Sequence, residues 1–299
     1  MHDFRQVDVF GRAAFTGNPV AVVLDADDLS DAQMHRIANW TNLSETTFVQ
    51  IPSTPDADYR VRIFTPRGEI PFAGHPSLGT AYALVESKRT EAAQGRFTQE
   101  CGAGLIQIEV DRSNDEDKVF VTAPHLTIST IGTDVLREIG HIAHLDSLDD
   151  AEPLVIDVGP QWLTLRLPDT DTLSHLAPNM QRLSEFSHEH GLTGLTVYAT
   201  TNEPGVALRV RSFAPAEGVS EDPVCGSGNI CVAAHLIQTD TVSTAGYDYA
   251  ASQGKEIGRD GLVLTKIDKA TGTIIVGGRC QTRISGQIET RSTNQERGS

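Results

Sequence analysis

The sequence predicts an α+β protein of two similar lobes, each made of mostly antiparallel strands with one long central helix among them. Three observations lead there. Strand-like and helix-like stretches do not alternate strictly, as they would in a doubly wound parallel fold. The stretch "RIFTPRGEIPFAGHPSLGTAYAL" (residues 62–84) returns about 150 residues later as "RSFAPAEGVSEDPVCGSGNICVAAHL" (residues 211–236). The chain's 299 residues are enough for two lobes of about 100–150 residues, each with its own core. In the repeat, Arg-x-Phe-x-Pro opens both copies, Gly74 and Gly226 hold the same place, and Ala81/Ala233 and Leu84/Leu236 keep the register on the helix that follows. The second copy has three extra residues in its turn and Cys225 where the first has Ala73. Two copies of one unit predict a pseudo-twofold arrangement with a ligand cleft between the halves.

The elements follow in order. "FRQVDVF" and "PVAVVL" read as strands around the turn-rich "GRAAFTGN". A helix is expected over 30–40, with Ser30 as N-cap and Leu29, Met34 and Ile37 as its apolar stripe. "TTFVQI" and "YRVRIFT" are strands, followed by the first glycine loop and its helix. "GLIQIEVDRSNDEDKVFVTA" is a strand pair with a charged turn. The lobe boundary is placed near 123–129, giving an N-terminal lobe of 1–124, completed by the last strand near 283–290, and a C-terminal lobe of 125–282. Helix-like "DVLREIGHIAHL", acidic "DSLDDAEP", strand-like "LVIDVG" and "WLTLRL", and helix-like "MQRLSEFSHEHG" closed by Gly191 come next. "LTVYAT" and "VALRVRSF" lead into the second loop and helix. "GLVLTKI", "GTIIVGG" and "QTRISGQIE" finish in antiparallel style, before a tail, "TRSTNQERGS", expected to be disordered.

Composition narrows the function classes. With 40 acidic against 24 basic residues the net charge is −16, a surface that repels phosphate backbones and anionic lipid, so neither nucleic acid nor membrane is an expected partner. A small anionic metabolite stays open, because helix N-termini supply local positive potential. No apolar run approaches a membrane span of about 18–20 residues, and "MHDFRQVDVF" shows no secretory pattern; the expected location is cytoplasmic. The four cysteines, Cys101, Cys225, Cys231 and Cys280, have neither CxxC nor metal-finger spacing, and free thiols are expected.

Each duplicated loop delivers small residues to a helix start, where backbone N–H groups lack partners and the dipole is positive. If the halves face each other, both starts point into one cleft, a receptacle for a carboxylate or for charge developing beside a carbonyl. A glycine turn that serves packing alone is the bland alternative, weakened by the second registered copy and by His75, Asp222 and Ser227 on the loops. "HIAH" and "HEH" are read as surface histidines, "GSGN" lacks the Lys-Ser/Thr of a P-loop, and no dinucleotide glycine motif follows a strand. No metal and no redox cofactor are expected.

"FTGNPVAVV", "TNLSETTFV", "FTPRGEIPFAGHPSLGTAYAL", "FAPAEGVSEDPVCGSGN" and "SQGKEIGR" have the order and spacing of the phenazine-biosynthesis PhzF-like family, which this chain resembles from about residue 4 to 290. The resemblance implies the diaminopimelate-epimerase-like fold, commonly in homodimers. It places the family's carboxylate base on Glu45, which by itself would read as a surface residue, and its substrate-holding positions on Asn18, Gly74, His75, Asp222, Gly226 and Ser227. It implies a cofactor-independent isomerase that moves a proton and a double bond in a small unsaturated carboxylic acid of secondary metabolism, such as a dihydro-hydroxyanthranilate or an alkylproline precursor. Two alternatives remain: an epimerase or racemase of an amino or hydroxy acid using Glu45 and Cys225, and a metabolite-binding protein without turnover. Epimerases of this fold use one cysteine per loop; here Ala73 stands in the partner position. Cys225 is therefore either a packing residue or a second acid/base.

Overall fold

The structure is a computed structural model that describes residues 1–89, 95–112, 116–145, 148 and 152–290. Most of the acidic stretch at 146–153, the charged turn at 113–115 and the tail from 291 lie outside the described residues.

The first half runs β1 (His2–Val9), β2 (Asn18–Val23), α1 (Asp31–Thr41), β3 (Glu45–Gln50), β4 (Tyr59–Phe64), β5 (Glu69–Ile70), α2 (Gly74–Glu86), β6 (Arg96–Cys101), β7 (Gly104–Asp111) and β8 (Lys118–Thr122). The connecting elements are β9 (Thr127–Thr130) and α3 (Thr133–Ala143). The second half runs β10 (Leu154–Asp157), β11 (Gln161–Arg166), α4 (Thr170–His175), α5 (Met180–His190), β12 (Gly194–Thr200), β13 (Leu208–Ala214), β14 (Val219–Asp222), α6 (Gly226–Gln238), β15 (Asp248–Gln253), β16 (Gly261–Ile267) and β17 (Ile274–Ile288).

The two halves repeat one connectivity. β1 and β2 are antiparallel, and β2 runs parallel to β3 across α1. β3, β4 and β5 are successively antiparallel. After α2, β6 returns parallel to β4, and β7 and β8 follow antiparallel. The same order recurs as β10–β11, the parallel pair β11–β12 across α4 and α5, then β13 and β14. After α6, β15 lies parallel to β13, followed by β16 and β17. β17 joins the halves, pairing with β8 through residues 275–279 and with β1 through residues 280–288. "GTIIVGG" and "QTRISGQIE", read as separate stretches, are thus one strand serving both halves. The short β5, β9, β14 and α4, together with β6 and β15, escape the sequence reading because none combines adequate length with clear periodicity.

Helix α1 begins as expected: Ser30 is the N-cap, and its N–H donates to the Gln33 side chain at 2.9 Å. Gly191 closes α5 in the left-handed conformation (φ 66°). Helices α2 and α6 differ in kind from these amphipathic helices. Eleven of the thirteen residues in each are buried, so strands surround them on all sides. A helix so placed needs small side chains where strands come close. Gly79 shows why, since a Cβ there would overlap the Val20 side chain of β2. The main core is continuous through both halves, from Val7 and Leu78 to Ile230 and Val263. Separate clusters lie under α1 and under α3 and α5.

Candidate active site

The repeated Arg-x-Phe-x-Pro motif explains how the two loops are aimed. In the first half the Arg62 guanidinium lies 5.2 Å from the Phe64 ring centroid and clasps both oxygens of Glu69 on β5 at 2.8 and 2.6 Å. In the second, Arg211 lies 4.8 Å from the Phe213 centroid and clasps Glu221 on β14 at 2.9 and 2.8 Å. Each bidentate pair fixes a tight hairpin that feeds the following helix. The three extra residues of the second copy fall in a turn that contains one 3₁₀ segment, Pro215–Glu217, closed by Gly218 at φ 86°.

The helix starts abut. A Cβ built on Gly74 would sit 3.2 Å from Gly226 Cα, and one on Gly226 would sit 3.0 Å from the His75 nitrogen. A side chain at either position would crowd the facing backbone, and glycine avoids this. The positive ends of α2 and α6 therefore converge on one place.

Side chains from both halves gather there. Asn18, at the start of β2 and fully buried, fans its Nδ2 toward Asp222 Oδ1 at 2.7 Å, the Val224 carbonyl at 3.0 Å and His75 Nδ1 at 3.2 Å. The other ring nitrogen, Nε2, lies 3.3 Å from Glu45 Oε2, with no hydrogen bond between the two atoms. Burial pushes His75 down to about 3, so the ring is neutral. Glu45, at the start of β3, is largely buried. Desolvation, reinforced by Asp222 and Glu217, raises its carboxyl well above the usual carboxylate range. Asp222 is pushed up to about 6 by burial, against the opposing pull of the Cys225 thiol and the Val224 N–H. Ser227 Oγ accepts from Trp162 Nε1 at 3.0 Å.

Glu45, Asp222, Ser227 and Trp162 border a cavity of about 160 Å³, together with Phe72 and Glu217, whereas Asn18, Gly74, His75 and Gly226 stand behind its wall. Cys225 is not on that wall. It is 2% exposed and caps α6, its Sγ accepting from the Gly228 N–H at 3.2 Å. Burial and the neighbouring Asp222 push its thiol well up, so it stays protonated. Trp162, Glu217 and Gln253 belong to the site and were not singled out from sequence. Trp162 was legible only as part of a strand, and Gln253 lay inside the quoted "SQGKEIGR".

The duplication breaks where the chemistry sits. Phe64 pairs with Thr46, and Phe213 with Leu195. The counterpart of Glu45 is therefore Gly194, where a Cβ would overlap the Phe213 carbonyl oxygen. His75 corresponds to Ser227, and Ala73 to Cys225. One half brings the carboxyl and imidazole; the other brings Asp222, Ser227 and the indole. Such a site can move a proton at one face of a bound molecule while two helix starts stabilise negative charge. The histidines of "HIAH" and "HEH" lie on or beside α3 and α5. Among the described residues no group of three or more His, Cys, Asp or Glu side chains is arranged to hold a metal ion. All four cysteines are free.

The family profile described as phenazine biosynthesis-like protein matches residues 7–286. A Schizosaccharomyces pombe protein named Antisense-enhancing sequence 1 is 38% identical over 293 residues, covering 96% of this chain and 98% of that one. The trans-2,3-dihydro-3-hydroxyanthranilate isomerase of Pseudomonas fluorescens is 38% identical over 269 residues, covering 90% and 91%. Among solved structures, a Bacillus anthracis phenazine biosynthesis protein of the PhzF family superposes with a TM-score of 0.80 at 25% identity, covering 96% of this chain and 99% of that one. Match, identity and superposition run through both halves and the cleft between them, and they place this chain among the enzymes of the phenazine biosynthesis-like (PhzF) isomerase family.

Proposed function

We propose that this enzyme isomerises a small unsaturated carboxylic acid by moving one proton, and with it a double bond, using Glu45 as the only proton carrier. The substrate class is that of the Pseudomonas relative, a dihydro-hydroxyanthranilate, or a similarly small cyclic acid such as an alkylproline precursor. The observation that carries the reading is the broken duplication at the base position. Glu45 borders the cavity, while its counterpart in the other half is a glycine with no room for a side chain.

The step follows from the geometry. Ionised Glu45 takes a proton from an sp³ carbon, and the electron pair delocalises through the double bond onto the substrate carboxylate. The first-turn N–H groups of α2 and α6, with Ser227, hold that dienolate. Glu45, now a carboxylic acid, returns the proton to the far carbon of the same face. A raised pKa suits both halves of the task, since such a group is a strong base when ionised and a competent acid near neutral pH when not. The neutral His75 ring stands beside the carboxyl, Nε2 3.3 Å from Oε2, without adding a charge to the site. This chemistry calls on no metal or redox cofactor. Against the epimerase alternative stand Ala73 in one loop and a protonated Cys225 sealed behind the wall in the other.

The test is proton NMR in deuterated water with trans-2,3-dihydro-3-hydroxyanthranilate, then with a panel of small cyclic unsaturated acids. Wild type is expected to shift the double bond without inverting a stereocentre, with deuterium entering at the new C–H carbon or partly excluded by direct transfer. Glu45→Gln is expected to slow this by about 10²–10⁴-fold. Activity within a few-fold of wild type in Glu45→Gln would remove Glu45 from the mechanism.

A further inference from the structure

Behind the cavity, the segment 253–260 of the second half touches both loops that supply the polar cluster, yet none of its residues belongs to the cavity wall. On one side, Gln253 (2% exposed) uses its whole amide. Its Oε1 accepts from the Cys225 N–H at 3.1 Å and from Asn229 Nδ2 at 3.0 Å, and its Nε2 donates to the Asp222 carbonyl at 3.1 Å. Gly254 (φ 93°) presses against the Pro223 carbonyl so closely that a Cβ there would overlap it. The Asp222–Cys225 loop is therefore rigidly backed.

On the other side, Arg259 reaches into the first half. Its Nη1 donates to the Gly17 carbonyl at 3.2 Å and to the Phe15 carbonyl at 3.4 Å, while the Asp260 N–H donates to the Thr16 carbonyl at 2.9 Å. Gly17 is bonded directly to Asn18. The loop that Arg259 holds is strained, because Phe15 sits at φ 65°, a left-handed conformation that is an outlier for a bulky side chain. Phe15 is also 67% exposed, its ring meeting the Arg283 guanidinium 5.3 Å from its centroid, so polar groups hold that shape. The Asp8 carboxylate holds the same loop from the opposite side, accepting from the Phe15 N–H at 2.8 Å and the Gly17 N–H at 2.9 Å.

We propose that Arg259 is a positioning residue: by clamping the Phe15–Gly17 carbonyls from the second half, it keeps Asn18 donating to Asp222 across the joint between the two helix starts. Without the clamp the strained loop relaxes, Asn18 withdraws, and Asp222 loses its shortest hydrogen bond. The charged and titratable groups around Asp222 are Glu45 from β3, Glu217 from the 3₁₀ turn, Glu221 on its own strand held by Arg211, the Cys225 thiol, and His75 through Asn18. Among them Asn18 is the one donor that the clamp controls. The inference rests on the reading that Asn18 and Asp222 serve the site, but its test needs no substrate, so the two can fail separately.

The experiment is a carboxyl carbon-13 NMR titration of aspartate-labelled protein, with Asp222 assigned by its loss in Asp222→Asn. Wild-type Asp222 is expected to titrate near 6. Arg259→Met is expected to move that midpoint up by about one unit, the size of one hydrogen bond to a charged group. Asn18→Ala should move it equally, the double variant no further, and Arg259→Lys should restore most of it. A merely structural Arg259 would lower the melting temperature and leave the midpoint in place. An unmoved midpoint in folded Arg259→Met, or shifts that add in the double variant, would overturn the proposal.

Discussion

Cys225 gives α6 a side-chain cap that α2 lacks at Ala73, where Ser77 Oγ donates back to the Ala73 carbonyl instead. A sulfur that accepts from the Gly228 N–H satisfies one of the donors a helix start leaves orphaned. That role asks for a small acceptor and not for a thiolate. Cys225→Thr is therefore expected to keep activity within a few-fold of wild type, and to keep stability within about 1 kcal/mol because threonine is itself a good cap. Initial rates and urea melts check both. Near-complete loss of activity, with label entering and configuration inverting at one carbon in the wild-type enzyme, would instead establish a two-base epimerase. The carboxyl–imidazole pair belongs to the same scale: Glu45 and His75 lie 3.3 Å apart, with burial raising the carboxyl well above its usual range and keeping the imidazole neutral.

The repeated hairpin shows one motif carrying two energies. Arg62 and its partners Glu69 and Asp31 lie at a surface, with Asp31 and Glu69 well exposed. Arg211 and Glu221 are each only 7% exposed, and Arg211 also donates to the Leu173 and Leu176 carbonyls at the end of α4. Breaking a screened pair costs up to about 1 kcal/mol, whereas removing one partner of a buried pair costs about 3–5 kcal/mol. Arg211→Met is thus expected to destabilise severely, and Arg62→Met only mildly, in parallel denaturant melts. Equal losses would show that the stacking over Phe64 and Phe213, common to both, carries the motif. Because the Arg211 hairpin also aims Asp222, its loss should weaken ligand binding in whatever protein remains folded.

At the scale of the molecule, a chain of net charge −16 buries carboxyl groups at its centre. Burial pushes Asp222 up to about 6 from its ordinary 3.8, and raises Glu45 well above the usual carboxylate range. Between those values the folded state binds more protons than the unfolded one, so stability is greatest below the unfolded pKa and is lost as pH rises through the folded pKa. The Asp222 shift alone is worth on the order of 3 kcal/mol. Opposing it, His75 and His235 have lowered pKa values, so the stability they contribute is present above about 6.5 and is lost as pH falls. Asp3, Asp31, Glu100, Asp169, Glu203 and Asp268 also have lowered pKa values, and their contribution disappears at still lower pH. Asp222→Asn is expected to gain melting temperature relative to wild type as pH rises from about 5 to about 7.5, since it lacks the carboxyl whose ionisation in the fold is penalised. Melting curves of the two proteins that run parallel across this range would show that burial of Asp222 does not limit stability.

The sequence by itself determined the α+β class, the duplicated unit, the two helix starts and the presence of His75, Asp222 and Ser227 on their loops. Those features are written locally: strand alternation, a capping serine at Ser30, the closing Gly191, and glycines in register at Gly74 and Gly226. Resemblance to a family was needed to single out Glu45, because a glutamate between a helix and a strand carries no local mark of burial. Only the tertiary structure decided which members of each pair the symmetry discards. Gly194 takes the place opposite Glu45 because the Phe213 carbonyl fills it, and Cys225 turns into the helix and away from the cavity. The same holds for Trp162 on Ser227, Gln253 behind Asp222 and Arg259 behind Asn18. Each of these contacts joins residues 28 or more positions apart, and Arg259 lies 242 positions from Gly17. No local pattern encodes such pairings, because they exist only once β17 has closed the two halves around α2 and α6.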